Sequence, residues 1–257
     1  MYNVKINKLI IFLFLITILL LLSNVSSYAK DHREYTSKEF LNISRNSHPK
    51  KTWAELIGTV SNKRRDTTVI HAQIKLGMRF TSTRILAKIF IEEDDSNNSQ
   101  DRLEIYTVGQ PYTGELASII ASEKDDELSL LGDLGLRPED LTMTFLHWNF
   151  NKELDMQSVK TLDCRVLELV NPETNEHVIV YISLKYFTPI KIKWFNKNTN
   201  TPYRTVVVSA FETEGDLGAP SELNIYGPGW RSKVDFTNIK LGYTKDGLPN
   251  NLFSEDF

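Results

Sequence analysis

The feature that most constrains the fold is a strict two-residue alternation in the first half of the chain. Between residues 72 and 80, one side carries only apolar side chains: Ala72, Ile74, Leu76, Met78 and Phe80. The other side carries glutamine, lysine, glycine and arginine. A period of two is typical of a β-strand with one buried face. A chain organised in this way is expected to consist mainly of strands.

Further strand-like runs follow at short spacing. They cover residues 53–60, 84–91, 103–108, 162–170, 178–186, 190–195 and 205–211, with polar turns predicted at 92–101, 171–175 and 196–202. Such short connections join antiparallel neighbours, because a parallel pair needs a crossover of a dozen residues or more. The pattern therefore predicts an antiparallel sheet.

One of these strands is apolar on both faces. Val178, Val180 and Ile182 share one face, while Ile179 and Tyr181 share the other. Both sides of the sheet must leave water in this region, so a covering layer is expected on each side.

Two short helices interrupt the strands. Residues 36–45 form a helix pattern in which Thr36 or Ser37 serves as N-cap and Glu39 follows closely. Pro138, followed by Glu139 and Asp140, predicts a second helix, because proline and acidic residues favour a first turn.

The N-terminus has the pattern of a secretory signal peptide. Lys5 and Lys8 precede an apolar run at 9–22, and residues 27–29 end in small side chains. Fourteen residues rise only about 21 Å as a helix, short of the roughly 30 Å hydrocarbon core, which disfavours an uncleaved anchor. We expect cleavage after Ala29 and one domain over residues 30–257.

Charge and cysteine content exclude several classes. Thirty basic against 33 acidic residues give a net charge of −3, or −5 once Lys5 and Lys8 are removed, so no nucleic-acid partner is expected. Cys164 is the only cysteine, far from the leader, so neither lipidation of this chain nor an internal disulfide is expected.

Catalytic motifs are absent from the sequence. The nucleophile elbow, the zinc-binding HExxH, the Walker loop and the dinucleotide fingerprint do not occur, and the five histidines are scattered. No catalytic residue, metal site or cofactor is therefore predicted.

Five segments together resemble the LolA/LolB-like superfamily of outer-membrane lipoprotein-sorting proteins. They are residues 131–141 before the central strands, then 165–169, 189–196 and 202–205, and the tail 247–253. The resemblance covers most of residues 53–253 and follows the family's order. The arginine that locks the lid in that family has four candidates here, Arg64, Arg65, Arg79 and Arg84.

The resemblance implies an α+β fold: a single, strongly curved antiparallel sheet, an incomplete barrel, with helices covering the open, concave side. It further implies a periplasmic, non-catalytic carrier or chaperone, an apolar cavity for lipoprotein acyl chains or another lipid, and action as a monomer. An inner-membrane release complex or an outer-membrane acceptor is the partner that such a carrier would meet.

Candidate lipid-binding residues are the apolar and aromatic side chains of these strands and of the segment before them. They are Ile89, Ile91, Trp148, Phe150, Val180, Ile182, Trp194, Phe195, Val206, Val208 and Phe211. Period two pairs some of them on one face but does not tell which face is concave. Ordinary core packing is the competing interpretation, because buried aliphatic side chains are common.

Other interpretations remain open from the sequence. A β-sandwich would make the two-sided strands central ones in a solid core. An exported hydrolase with an unrecognised site, or an envelope interaction module without a ligand, would replace the carrier function.

Overall fold

The computed structural model describes residues 34–47, 51–65, 67, 69–80, 85–93, 105–109, 118–121, 131–196 and 199–249. The chain divides into two compact units, Met1–Tyr35 and Thr36–Phe257. All described helices and strands lie in the second unit. No helix among the described residues is both long and apolar enough to span a bilayer.

The described residues form twelve strands of one antiparallel sheet. They are β1 (Thr52–Arg64), β2 (Ile70–Phe80), β3 (Ile85–Glu93), β4 (Ile105–Gly109), β5 (Ser118–Ala121), β6 (Asn149–Val159), β7 (Leu162–Val170), β8 (His177–Ser183), β9 (Pro189–Phe195), β10 (Arg204–Glu214), β11 (Leu217–Gly227) and β12 (Trp230–Tyr243). Their spatial order is β5-β4-β3-β2-β1-β12-β11-β10-β9-β8-β7-β6. The sheet is open, with β5 and β6 at its edges, and the predicted antiparallel α+β class is confirmed in place of a two-sheet sandwich.

The first helix, α1 (Ser37–Arg45), confirms its predicted start. The Thr36 hydroxyl accepts the Glu39 backbone N–H, and the Glu39 carboxylate accepts the Thr36 backbone N–H at 2.8 Å. This reciprocal capping box satisfies two amide groups that a helix start would otherwise leave unpaired.

The second helix, α2 (Pro138–Thr142), begins at the predicted proline. It ends at Met143, which has a left-handed backbone, and a short 3-10 helix (Thr144–His147) follows. The whole stretch from Leu131 to Trp148 packs on the sheet and is mostly buried.

One face of the sheet is apolar over most of its width. The strand register places these buried side chains on that face: Ala54, Leu56, Val60, Ala72, Ile74, Leu76, Ala87, Ile89, Ile91, Leu167, Leu169, Val178, Val180, Ile182, Ile192, Trp194, Val206, Val208, Leu223, Ile225, Val234 and Phe236. We call this the apolar face. Its burial is the main stabilising term of the fold.

On the opposite face, the buried apolar side chains that the structure describes lie near β6–β9, where two-sided burial was predicted. Cys164, Val166, Tyr181 and Ile190 form a buried cluster there. The pKa of the Cys164 thiol is raised by burial, which suits a structural cysteine.

Several strands differ from their predicted extent. β8 ends at Ser183 rather than continuing to 186, because the Ser183 hydroxyl accepts the Lys185 and Tyr186 backbone N–H groups in a turn. β5, β6, β11 and β12 were not predicted. Residues 247–249 follow β12 outside the sheet, while 250–253 and the tip of the predicted 92–101 loop lie outside the described residues.

Candidate functional site

A cavity of about 580 Å³ opens at one end of the apolar face. It lies between the strands, the end of α2 and the β8–β9 turn. Its lining consists of Ser47, Thr52, Trp53, Ala54, Leu56, Leu76, Met78, Phe80, Leu141, Thr142, Met143, Tyr186, Thr188, Phe211, Thr213, Gly215, Asp216, Leu217, Gly218, Ala219, Pro220 and Leu241. A concave, mainly apolar site of this size is typical of ligand-binding pockets.

The floor of the cavity comes from the β1–β2 pair. Leu56 faces Leu76 and Ala54 faces Met78 across the two strands, so four apolar side chains project from one face. Leu141 of α2 lies across from them on the helical side. The alternation visible in residues 72–80 thus supplies part of the lining.

A split in the sheet forms one wall of the cavity. β11 pairs with β12 only from Glu222↔Asp235 to Gly227↔Trp230, whereas β1 pairs with β12 as far as Tyr243. The first residues of β11 and the last residues of β12 therefore separate. Leu217 and Leu241, one from each strand, both line the cavity at this split.

The tip of the β10–β11 hairpin bridges the split. The Glu214 carboxylate accepts the Leu241 backbone N–H at 3.1 Å. The Tyr243 hydroxyl lies 2.9 Å from both carboxylate oxygens of Asp216, and this hydrogen bond raises the pKa of Tyr243. These two contacts join the hairpin to the end of β12, and we call them the hairpin latch.

The hairpin turn fixes the position of Asp216. Glu214 and Leu217 are the last paired residues, so the loop has only two residues. Gly215 has φ +63, which glycine adopts without strain at the first position of such a turn. Among the described residues, Asp216 is the only charged side chain that lines the cavity.

The β8–β9 turn supplies an aromatic side chain at the mouth. Tyr186 is 52% exposed and lines the cavity. The next residue, Phe187, has φ +53, and its ring lies 5.2 Å from that of Phe40 in α1. Phe187 therefore anchors the turn while Tyr186 remains at the surface.

Charged pairs hold residues 131–148, which we call the helical segment, on the sheet. Arg204 of β10 forms a buried ion pair with Asp140 of α2. Arg137 pairs with Glu176 at 3.0 Å, and its guanidinium lies 4.5 Å from the Trp194 ring. These contacts fix α2, and with it the cavity wall at Leu141.

Arg45 of α1 binds the end of the same segment. Its guanidinium donates to the Leu146 carbonyl at 2.7 Å and the Trp148 carbonyl at 2.9 Å. Burial, and then Arg45, lower the pKa of the neighbouring His147 to about 4. This histidine is therefore neutral at pH 7.

Most predicted lipid-binding residues lie deep in the apolar face. Seven of them, Ile89, Ile91, Val180, Ile182, Trp194, Val206 and Val208, are at most 2% exposed. Trp148 packs edge-on against Trp194, with ring centroids 5.4 Å apart. Only Phe211 among the eleven candidates lines the cavity.

The remaining two candidates differ from each other. Phe195 projects from the other face, where it stacks on His177 at 5.0 Å. Phe150 is half-buried in β6 and pairs with Leu169 on the apolar face. Sequence reasoning missed most of the lining, including Leu56, Leu141 and Leu217. The alternation at residues 72–80 contains Leu76 and was the available signal for the β2 part of the lining. No strand was predicted at β11, which supplies Leu217.

The candidate lid arginines do not line the cavity where they are described. Arg64 lies near Asp133 at 3.4 Å, at the opposite end of β1 from the cavity, and Arg65 follows it. Arg79 lies on β2 beside Trp53 of β1, and Arg84 falls outside the described residues.

Other arginines hold the helical segment more closely than these candidates do. Arg45 and Arg204 reach it from α1 and β10, and Arg137 extends from the segment itself to Glu176. Arg64 contacts the segment through the Asp133 carbonyl at 3.2 Å, and no such hydrogen bond joins Arg65 or Arg79 to it among the described residues.

No group of histidine, cysteine, aspartate and glutamate side chains in the described ranges could hold a metal ion.

Comparisons with known proteins agree on the fold. A DUF1329 family protein from Desulfovibrio piger has a TM-score of 0.57 at 12% identity, with 82% of this chain and 92% of that chain covered. A domain described as an outer membrane lipoprotein-sorting protein, from Vibrio parahaemolyticus, has a TM-score of 0.59 at 11% identity, with 83% and 94% covered.

A LolA superfamily protein from Nitrosomonas europaea has a TM-score of 0.52 at 14% identity, with 86% of this chain and 99% of that chain covered. No protein-family model and no curated protein matches the sequence. The chain therefore has the fold shared by LolA-superfamily, lipoprotein-sorting and DUF1329 proteins.

Proposed function

We propose that this protein is an exported, non-catalytic carrier that shields lipoprotein acyl chains, or another lipid, in its cavity during outer-membrane lipoprotein sorting. The observation that carries the proposal is the open, mainly apolar cavity of about 580 Å³ at one end of the apolar face. Structural neighbours that include a lipoprotein-sorting domain and a LolA superfamily protein support it.

Burial of an alkyl chain supplies enough free energy for such a function. Each buried methylene contributes about 0.8 kcal/mol, so ten methylenes contribute about 8 kcal/mol. This exceeds the lower end of the cost of association, about 4 kcal/mol. Polar chemistry is not needed for binding.

In the proposed carrier, the helices cover the concave side of a curved sheet. α2 contacts β4 and also carries Asp140, which binds Arg204 of β10. In a flat sheet these strands, six positions apart, would be separated by about 29 Å. A five-residue helix is only about 7.5 Å long, so contact with both favours a sheet that curves around α2.

The signal-peptide pattern supports a periplasmic location for the carrier, with cleavage behind Ala29. A monomer would take its cargo from an inner-membrane release complex and deliver it to an outer-membrane acceptor. The candidate residues buried in the apolar face would pack behind the cavity lining. Phe211 would contact the cargo.

A probe-binding experiment with a matched pair of variants tests the proposal. The neutral fluorophore N-phenyl-1-naphthylamine is expected to bind wild-type protein and to be displaced by dodecyl maltoside. Ala219→Phe fills the cavity, whereas Ala210→Phe adds the same ring at an exposed position of β10.

Binding lost in Ala219→Phe and kept in Ala210→Phe supports the carrier. Equal binding by both folded variants contradicts binding in this cavity, and absence of binding by the wild-type protein favours an interaction module without a ligand. Lipid-ester hydrolysis by the wild-type protein would instead favour the exported hydrolase.

A further inference from the structure

A charged side chain lines the cavity, and it lies at the cavity mouth. Among the described residues that line the cavity, Asp216 is the only charged one, and it is exposed at the hairpin tip. Glu214, two residues earlier, adds a second carboxylate at the same hairpin tip. An amphiphile whose chain enters the cavity would place its head group near these carboxylates.

Asp216 keeps capacity for a further partner. In the described ranges its side chain contacts the Tyr243 hydroxyl, and it makes no ion pair within 4 Å. A carboxylate offers about four lone-pair sites, of which this hydroxyl uses a part. The partner that best complements the remainder is a cationic donor.

The nearby lysines are engaged with aromatic rings. The Lys245 ammonium lies 5.4 Å from the centre of the Tyr243 ring, and that of Lys185 lies 4.9 Å from the centre of the Tyr186 ring. Both are cation–π distances. Each of these lysines therefore lies against a ring, and among the described residues neither forms an ion pair with Asp216.

We propose that the cavity is selective for amphiphiles with an ammonium head group, which Asp216 binds while the chain lies over Leu56 and Leu76. This inference rests on the proposed carrier function and specifies its ligand class. A carboxylate or phosphate head group would be repelled by Asp216 and Glu214 at the same place.

Three twelve-carbon amphiphiles separate chain binding from head-group selection. Dodecylammonium, dodecanoate and dodecyl maltoside, each below its micelle concentration, compete with N-phenyl-1-naphthylamine at low salt. Dodecylammonium is expected to bind about fivefold more tightly than dodecyl maltoside, the scale of one exposed ion pair, and dodecanoate more weakly than both. Added salt should reduce the preference.

Asp216→Asn is the decisive variant, because the amide oxygen can still accept the Tyr243 hydroxyl and keep the hairpin in place. It should lose the dodecylammonium preference and leave dodecyl maltoside unchanged. Asp155→Asn, which makes the same charge change at an exposed position of β6 outside the cavity, should bind all three as the wild type does.

Dodecylammonium binding that is equal in the wild type and in Asp216→Asn overturns the inference, as does dodecanoate binding as tight as that of dodecylammonium. In either case, dodecyl maltoside binding leaves the carrier function standing. Failure of all three amphiphiles to bind overturns the carrier function and this inference together.

Discussion

Asp140 of α2 and Arg204 of β10 form an ion pair in which both side chains are almost completely buried, at 0% and 5% exposure. The pair links the helical segment to the apolar face near Trp194, which neighbours Arg204 across β9 and β10. Two charges removed from water stabilise each other only while both are present.

Breaking this pair should destabilise the protein strongly. Asp140→Asn leaves the Arg204 guanidinium buried without its counter-charge, at an expected cost of about 3 to 5 kcal/mol in the free energy of unfolding. Urea denaturation of this variant and of Asp133→Asn, whose carboxylate is exposed, measures the difference. Similar losses in both variants would contradict the proposed linkage.

His147 should make stability depend on pH. Its pKa is about 4 in the folded protein, against 6.5 as the ordinary value, so the unfolded chain binds a proton that the folded protein excludes. The free energy of unfolding therefore rises with pH between 4 and 6.5, by roughly 3 kcal/mol in total.

Chemical denaturation at several pH values measures this dependence. His147→Gln should flatten the profile in that window, while His71→Gln, at an exposed position of β2, should keep it. A profile that is unchanged in His147→Gln would show that another group is responsible.

Trp194 and Phe211 should respond in opposite ways to truncation. Trp194 is fully buried against Phe145 and Trp148, so Trp194→Ala should cost about 3 to 5 kcal/mol of stability. Phe211 is 40% exposed and lines the cavity, so Phe211→Ala should cost about 1 kcal/mol or less.

Phe211→Ala should instead weaken binding of N-phenyl-1-naphthylamine per folded molecule. Thermal denaturation and fluorescence titration on the same samples separate the two effects. Equal loss of stability in both variants, with unchanged binding, would assign Phe211 to the core.

The hairpin latch should control how quickly the cavity exchanges ligand. Tyr243→Phe removes the hydroxyl that contacts Asp216, so N-phenyl-1-naphthylamine should bind and leave faster, with stability changed by about 1 kcal/mol or less. Tyr226→Phe makes the same chemical change at an exposed position of β11. Stopped-flow rates that are equal in the two variants would contradict a gating function.

Local sequence signals predicted the elements whose stability depends on local patterns. The Thr36–Glu39 capping box, Pro138 and the alternation at 72–80 each specify their structure through neighbouring residues. The two-sided strand around Val180 was also recognisable, because burial on both faces requires apolar residues at every position.

Two of the strands that were not predicted from the sequence, β6 and β12, lack a regular apolar alternation. β6 is an edge strand with mostly exposed, polar side chains, and so it has no continuous apolar face to reveal it. β12 has one extra residue, Thr237, opposite Ile57 and Gly58 of β1, and this β-bulge interrupts the alternation within β12.

The cavity depends on contacts between distant strands. It opens where β11 stops pairing with β12, and that register is set by the whole sheet rather than by either segment. A period of two pairs Val206 with Val208, and Val180 with Ile182, but it carries no information about where the helical segment leaves space.

Native mass spectrometry of the protein, released gently from its own cell envelope, tests directly whether the cavity carries a lipid. We expect a population whose mass exceeds that of the mature polypeptide by one acyl-bearing molecule. This population should be absent from Ala219→Phe and present in Ala210→Phe. A wild-type protein that carries only its polypeptide mass, or an adduct that persists in Ala219→Phe, would contradict a carrier cavity at this site.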